Sequence, residues 1–409
     1  MEKFSLRILS ALLALAAGAC TYPFQAELDE MEDVLVVEGN IVIGSRSTIA
    51  LSKMVPLADL GASDAAYPED PTYYEKTALR SYSVRIEGED GSRVEAEGDN
   101  PYTLDTRDLP SGQRYKLHLE DPSGSNAYET DWLEVLGVPE VDDISHVVNG
   151  NILTIRTSMH SDQSPYFSIS YDEVWEYHAW ADTRYFYGRQ PRPDAVDTTD
   201  PETMETVITY GDNPYYRCWS HSDFARSKTL SAEAYKGNRL EDYPVIYFSQ
   251  SDARISVLYN LQLKASLISP EAYRYWQNLD KISTPSGDLF TPIPSSMRGN
   301  IHKVGDPSVL VLGYIGASTA TAVSYYVDNS ETQFYKAPAW QQQRVLHERQ
   351  ESGMNTEDWD RMYRTGYRPF QPVTDMYSGQ LIGYMWINQD CVDCRRQGGS
   401  TVKPEGWPK

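Results

Sequence analysis

From Arg254 the chain reads RISVLYNLQLKASLI, and Ile255, Val257, Tyr259, Leu261, Leu263, Ala265 and Leu267 occupy alternate positions. An apolar period of two belongs to a strand with one buried face, because a helix would repeat near 3.6. Such a strand cannot stand alone. It needs a sheet around it and a second layer against its greasy face. The same alternation recurs from Val34 in VLVVEGNIV, STIALSK, SYSVRIEG, RYKLHLE and NAYETDWLEV. EDGSR (89–93) and DPSGSN (121–126) lie between strands with the residue types of hairpin turns. Residues 34–138 therefore read as an immunoglobulin-like β-sandwich. Residues 60–76 read as a loop inserted into it, and GVPEVDD (137–143) as the joint to a second domain.

Residues 139–409 read as a larger β-rich domain with one or two short helices. ILTIRT and YFSISYDEVWEYHAW are strands. In the second, Phe167, Ile169 and Tyr171 keep the period and Val174 breaks it, which predicts a bulge near Asp172. Residues 188–214 are rich in Pro, Asp and Thr and read as a surface loop. Ser269, Pro270 and Glu271 have the residue types of a helix N-cap, first helical position and dipole-matched acid. Tyr273, Trp276 and Leu279 then form an apolar stripe. GDLFTPIPSSMRGNI comes next as a Pro/Gly-punctuated loop. Residues 309–327 read as two strands with a turn near Gly316. Residues 331–409 read as loop-rich, with a short helix over Ala339–Glu348. The class is mainly β, and thirty tyrosines and nine tryptophans fit it.

The start of the chain is of a different kind. Lys3 and Arg7 precede an uncharged run from Ile8 to Ala17, too short to cross a bilayer as a helix. Ala17, Gly18 and Ala19 then lead to Cys20. A basic start, a short apolar centre and small residues before a cut describe a signal peptide. Cysteine at the cut is the bacterial lipoprotein arrangement. Residues 1–19 are thus expected to be removed, Cys20 to carry acyl chains such as palmitate, and residues 20–33 to form an acidic tether. Each buried CH₂ contributes about 0.8 kcal/mol to such an anchor. The expected location is the outer membrane. The late acids after Cys20 lean toward its surface face but do not decide between that and the periplasmic one. The formal charge of −23 excludes a nucleic-acid partner, which needs a basic footprint.

Three further cysteines are disulfide candidates: Cys218, Cys391 and Cys394. An odd number outside the cytoplasm allows one bridge and one free thiol. Their spacing does not choose between Cys391–Cys394 and Cys218 with either. CVDCRR lacks the strand–helix context of a redox motif, and a zinc site would have to borrow a distant histidine. Neither a metal nor a cofactor is expected. Ser220, His221 and Asp223 are close in sequence, but such a triad is defined by three-dimensional geometry. Asp182 and the acids of 172–182 are numerous enough for a chance carboxylate pair. No catalytic residue is assigned. The best binding candidate is WEYHAWADTRYFYGR (175–189), where Trp175, Tyr177, Trp180, Tyr185 and Tyr187 offer stacking faces for a glycan or peptide. The competing reading is that alternate rings simply pack a strand.

LYNLQLKASLISPEAYRYWQNLDK, GDLFTPIPSSMRGNI, VLGYIGAS and the ending CVDCRRQGGSTVKPEGW, together with the lipobox and VVEGNI, resemble a lipoprotein family of Bacteroidota-type outer membranes. That family is known as domain of unknown function four-two-four-nine. The resemblance covers about residues 25–407, with one departure, Gly406-Trp407 where Phe-Trp is commoner. It implies an outer-membrane lipoprotein, often encoded beside a TonB-dependent transporter, and it carries no catalytic residues. The function expected from the whole is non-enzymatic: an accessory to such a transporter, capturing substrate or capping the channel. The alternative is a surface glycan- or peptide-binding lipoprotein using residues 175–187.

Overall fold

A computed structural model describes residues 34–54, 77–194, 199, 202, 204–223, 227–283 and 298–408. The signal, Cys20, the acidic tether and the predicted 60–76 insertion lie outside the described residues, as does most of GDLFTPIPSSMRGNI. The protein is mainly β, as its alternation requires.

The first body holds β1 (Leu35–Ile43), β2 (Arg46–Lys53), β3 (Ser83–Gly88), β4 (Arg93–Glu95), β5 (Tyr102–Asp105), β6 (Arg114–Glu120), β7 (Ala127–Thr130) and β8 (Leu133–Leu136). Both predicted hairpins form, β3 with β4 and β6 with β7. In the second turn the Asp121 carboxylate accepts from the Ser123 and Ser125 amides and from Asn126. Alternate residues Val37, Ile41, Ile49, Leu51, Leu104, Tyr115 and Leu117 share one buried core. Each large apolar side chain buried there contributes about 1.5–3 kcal/mol.

The second body begins with β9 (Glu140–Asn149) and β10 (Ile152–His160) and continues through β11 (Tyr166–His178), β12 (Tyr185–Pro191), β13 (Met204–Tyr210), β14 (Arg217–Asp223), β15 (Lys228–Ser231), β16 (Arg239–Ser249) and β17 (Leu258–Leu267). Strands β16, β10 and β9 form one sheet; β14, β11 and β17 form another, with β15 also on β11. Their inner faces meet over Leu153, Ile155, Phe248, Phe167, Tyr259, Leu261 and Leu263.

The structure corrects three expectations here. The alternating strand begins at Leu258, because Asp252 accepts from the Arg254 amide and caps a 3-10 turn over Ala253–Ile255. There is no bulge near Asp172: β11 pairs with β17 without a register shift from Phe167↔Leu267 to Glu176↔Leu258. The period seemed to break because Glu173 occupies a core position. The 188–214 segment contains strands, with β12 pairing β13 from Tyr185↔Tyr210 to Pro191↔Met204.

Helix α1 (Pro270–Ser283) starts where predicted, with the Ser269 hydroxyl accepting from the Ala272 amide at 3.1 Å. After it, β18 (Ile301–Lys303), β19 (Val311–Leu312) and β20 (Ala317–Thr319) return to the first body. β18 pairs β7, β19 and β20 run parallel to β1, and β20 also pairs β8. Strand pairing therefore crosses the boundary drawn at residue 138, and residues 301–319 complete a body that starts at residue 34. The approach is close enough to demand glycine. A Cβ on Gly313 would lie 1.9 Å from the Val37 carbonyl oxygen, at a φ of +117°. The predicted pair of strands over 309–327 is three, the last being β21 (Thr321–Asp328) on β17.

Residues 331–409 are more regular than expected. α2 (Asn329–Thr332) and α3 (Ala339–His347) precede β22 (Arg349–Ser352), α4 (Thr356–Arg364), β23 (Tyr367–Thr374), β24 (Leu381–Asn388) and α5 (Gln389–Val392). The strands form a sheet in the order β22-β24-β23. α4 is capped by Asn355, carries Glu357 and Asp358 first and Arg361 and Arg364 last, and buries Trp359 and Met362. These two side chains pack with Tyr384 and the fully buried Trp386.

Candidate functional site

The aromatic run 175–189 starts on β11 and leaves it after His178, so its rings fall to different parts of the fold. Trp175 and Tyr177 share one face. Trp175 packs on the core beneath the sheet, and Tyr177 is buried against Ala179, Cys218 and Cys394. The Tyr177 hydroxyl donates to the Cys394 carbonyl at 3.0 Å, and burial raises its pKa. Trp180, just past the strand, packs with Phe370, Ile387 and Val392. Its ring meets Trp340 edge-on at 5.3 Å, and the Arg344 guanidinium lies 5.3 Å over it. Tyr185 and Tyr187, on β12, join the Trp359–Trp386 cluster instead. Tyr187 donates to Asp360 and stacks on Tyr363 at 4.4 Å. Burial, followed by Asp360, raises its pKa.

The five residues are thus divided among separate clusters and form no common platform. The most exposed rings in contact with them are Trp340, 57% exposed, and Tyr210, 70% exposed and edge-on to Tyr185; Tyr363, stacked on Tyr187, is also exposed. None of these belongs to the run read from the sequence. Trp340 was findable as an aromatic on the short helix predicted over 339–348; Tyr210 was hidden in the supposed loop.

The cysteines resolve into one bridge, Cys218–Cys394, across 176 residues of sequence. Cys391 is free and buried, and burial pushes its thiol pKa up to about 11. The bridge fixes the end of the chain to β14. Beyond it, Ser400 and Trp219 exchange two backbone hydrogen bonds of 2.8 and 2.9 Å. Trp407 is buried, and its Nε1 donates to Glu176 Oε2 at 3.0 Å. A Cβ at Gly399 would lie 2.2 Å from the Tyr177 hydroxyl oxygen and 2.9 Å from the Cys218 Cβ, so a larger residue there would displace one of them.

The acids of 172–182 are individually engaged and form no free carboxylate pair. Lys264 binds Asp172, and Arg184 lies 3.4 Å from Asp182. Glu173 is buried and accepts from Arg254 at 2.7 Å and from the Tyr259 hydroxyl at 2.8 Å. Burial alone would lower the Arg254 pKa; the carboxylates of Asp252 and Glu173 more than offset this and raise it. Glu176 is buried too and is met by Arg217 at 3.0 Å as well as Trp407. Ser220 and His221 are neighbours on β14, so their side chains take opposite faces of the sheet, and His221 is exposed. No triad is built there. Glu140, Asp142 and His160 offer three ligand atoms within 4.8 Å of one another. Arg239 lies 3.3 Å from Asp142, and this makes the group an ion-pair cluster. Among the described residues no helix is long and apolar enough to cross a membrane.

No curated protein matches the chain. One solved structure that it resembles is a Bacteroides uniformis protein provisionally described as carbohydrate-binding. Identity is 10%, the likeness covers 58% of this chain and 91% of that one, and the TM-score is 0.12. At that score the likeness carries no functional weight. A family match runs over residues 21–324 and stops short of the tail. Covering most of its length, that match places the chain in the family described as Domain of unknown function (DUF4249).

Proposed function

We propose that the protein is exported, held at the outer membrane by an acylated Cys20, and works there by binding rather than catalysis, as an accessory to a TonB-dependent transporter. The observation that carries the reading is the Cys218–Cys394 bridge, because such bonds form and persist in oxidising compartments outside the cytoplasm. The signal-like start and Cys20 are consistent with that export. The engaged acids of β11 and the separated Ser220 and His221 favour binding over catalysis. In this reading the strand-built bodies capture substrate or cap the transporter channel.

The test is purification from detergent-solubilised envelopes, with mass spectrometry of the mature amino terminus. The expected result is a triacyl- or diacyl-modified Cys20, a co-purifying outer-membrane barrel, and release of the Cys20→Ser variant from membranes. An unmodified terminus on a freely soluble monomer would overturn the reading.

A second reading, glycan or peptide binding at the surface, rests on the exposed Trp340 ring beside Trp180. Undiminished retention of a glycan or peptide ligand by the Trp340→Ala variant would dismiss that surface.

A further inference from the structure

β14 is an edge strand of its sheet, and an open edge offers unpaired backbone groups to any passing strand. Here the chain's own tail covers it. Ser400 pairs with Trp219 on the side of β14 away from β11. The tail then crosses the outer face of the sheet, opposite the core. Glu176 and Trp219 are directly paired across β11 and β14 and share that face. Val174, Asn260 and Tyr326 form the adjacent row on the same face. Trp407 seats there, its Nε1 on Glu176 and its ring edge-on to Tyr326 at 5.9 Å.

Two features give this face the character of a recognition groove. Glu176 is a buried carboxylate that uses the tail's indole as a donor. Trp219 is also buried, at 7% exposure, and its own Nε1 has no hydrogen-bond partner among the described residues. A buried donor without an acceptor is costly and uncommon in a finished core. Beyond Gly399 the tail meets the sheet through the isolated Ser400–Trp219 bridge, the Trp407–Glu176 hydrogen bond and the Trp407–Tyr326 ring contact, and the disulfide would retain the chain on β14 if these residues lifted away.

We infer that residues 400–407 are a built-in occupant of a peptide-binding groove on β14 and the outer face of its sheet. The groove takes an extended segment of a partner protein that pairs with Trp219 and places a tryptophan on Glu176, seven residues beyond the paired position. The mode is strand addition: backbone bonds at the edge give affinity, and one side-chain pocket gives selectivity.

The experiment uses the full chain and a fluorescein-labelled peptide of residues 398–408, read by fluorescence anisotropy. The Trp407→Ala chain should bind the peptide. Wild-type chain should bind at least tenfold more weakly, because its own tail competes at an effective concentration of order millimolar. A peptide with Trp407→Phe keeps the ring, loses the donor, and should bind the Trp407→Ala chain about tenfold more weakly. No binding by a natively folded Trp407→Ala chain, or equal binding by both chains, would overturn the proposal. So would tail exchange between wild-type copies, seen as a dimer on gel filtration, since the groove would then serve self-association. Should Trp407→Ala not fold, hydrogen exchange in wild-type chain decides. Ser400 and Trp219 amides exchanging well before the β11–β17 ladder support a detachable tail; exchange only with that ladder refutes it.

Discussion

Removing the Cys218–Cys394 bridge gives the clearest quantitative prediction. The perturbation is the double variant Cys218→Ala/Cys394→Ala, which leaves no new partner for Cys391. The bridge closes 176 residues of sequence. In the chain-entropy description the denatured state loses about 17 cal/mol/K for a loop of that size, or about 5 kcal/mol at 25 °C. Native bridges usually deliver about 2–5 kcal/mol. With a urea slope of about 2–3 kcal/mol/M, the midpoint should fall by about 1–2 M. The assay is urea unfolding of the double variant and of wild type, followed by tryptophan fluorescence and far-UV circular dichroism together, because a chain of several bodies need not unfold in one step. A midpoint within about 0.2 M of wild type, by both probes, would refute the loop-closure reasoning. The free thiol supplies a control. With its pKa pushed up to about 11, roughly one Cys391 in a thousand is thiolate at pH 8, so it should neither shuffle with the bridge nor react with iodoacetamide until the chain unfolds. A Cys391–Cys394 or Cys218–Cys391 peptide in a non-reducing digest would contradict the structure directly.

Three other outcomes are expected. Tyr259→Phe takes one of two donors from buried Glu173 and should cost about 2 kcal/mol, read as a lower unfolding midpoint with unchanged circular dichroism; a neutral substitution would show that Arg254 alone suffices. Gly313→Ala sets a Cβ against the Val37 carbonyl at a left-handed φ and should cost more than about 2 kcal/mol, with exchange protection lost first where β1 meets β19. Asp121 has its carboxyl pKa lowered to about 2 by the Ser123 hydroxyl and then Asn126. The folded value lies below the unfolded one of about 4, so its contribution is full above that pH and fades as pH falls toward 2; Asp121→Asn should flatten the stability slope in that window, lowering stability at neutral pH and leaving it little changed near pH 2.

How much of this was legible depended on how far apart the cooperating residues lie. The hairpins at 89–93 and 121–126 and the capped start of α1 are local, and their residue types place them correctly. The alternation in β17 is local too, and Tyr259, Leu261, Leu263, Ala265 and Leu267 are all buried as it demands. What escaped is what long-range pairing supplies. Val311–Leu312 and Ala317–Thr319 are two- and three-residue strands, too short to show a period, and they exist because β1 offers them an edge. The β22–β24–β23 sheet was missed for a related reason: Pro369 and Pro372 interrupt β23, and proline normally argues against a strand. β23 is an edge strand here and tolerates both.

β11 shows why the candidate site was the least legible part. Glu173 and Glu176 stand three residues apart, so their side chains leave opposite faces of the strand. Either one, read locally, looks like a polar position exposed to water. Each is instead buried, which is tolerable only with charged or hydrogen-bonding partners. The partners come from far along the chain: Arg254 and Tyr259 for Glu173, Arg217 and Trp407 for Glu176. The first set consists of a half-buried arginine anchored in a 3-10 turn and a fully buried tyrosine on the next strand. The second includes Trp407, on a tail whose nearest backbone pairing to the sheet is the isolated Ser400–Trp219 bridge. The two acids are alike in sequence and differ in consequence. Disturbing Glu173 should loosen the whole sheet, whereas disturbing Glu176 should first free the tail and leave the β11–β17 ladder intact. Hydrogen exchange on Glu173→Gln and Glu176→Gln separates the cases, and an equal, global loss of protection in both would remove the physical basis for treating the tail as a detachable occupant.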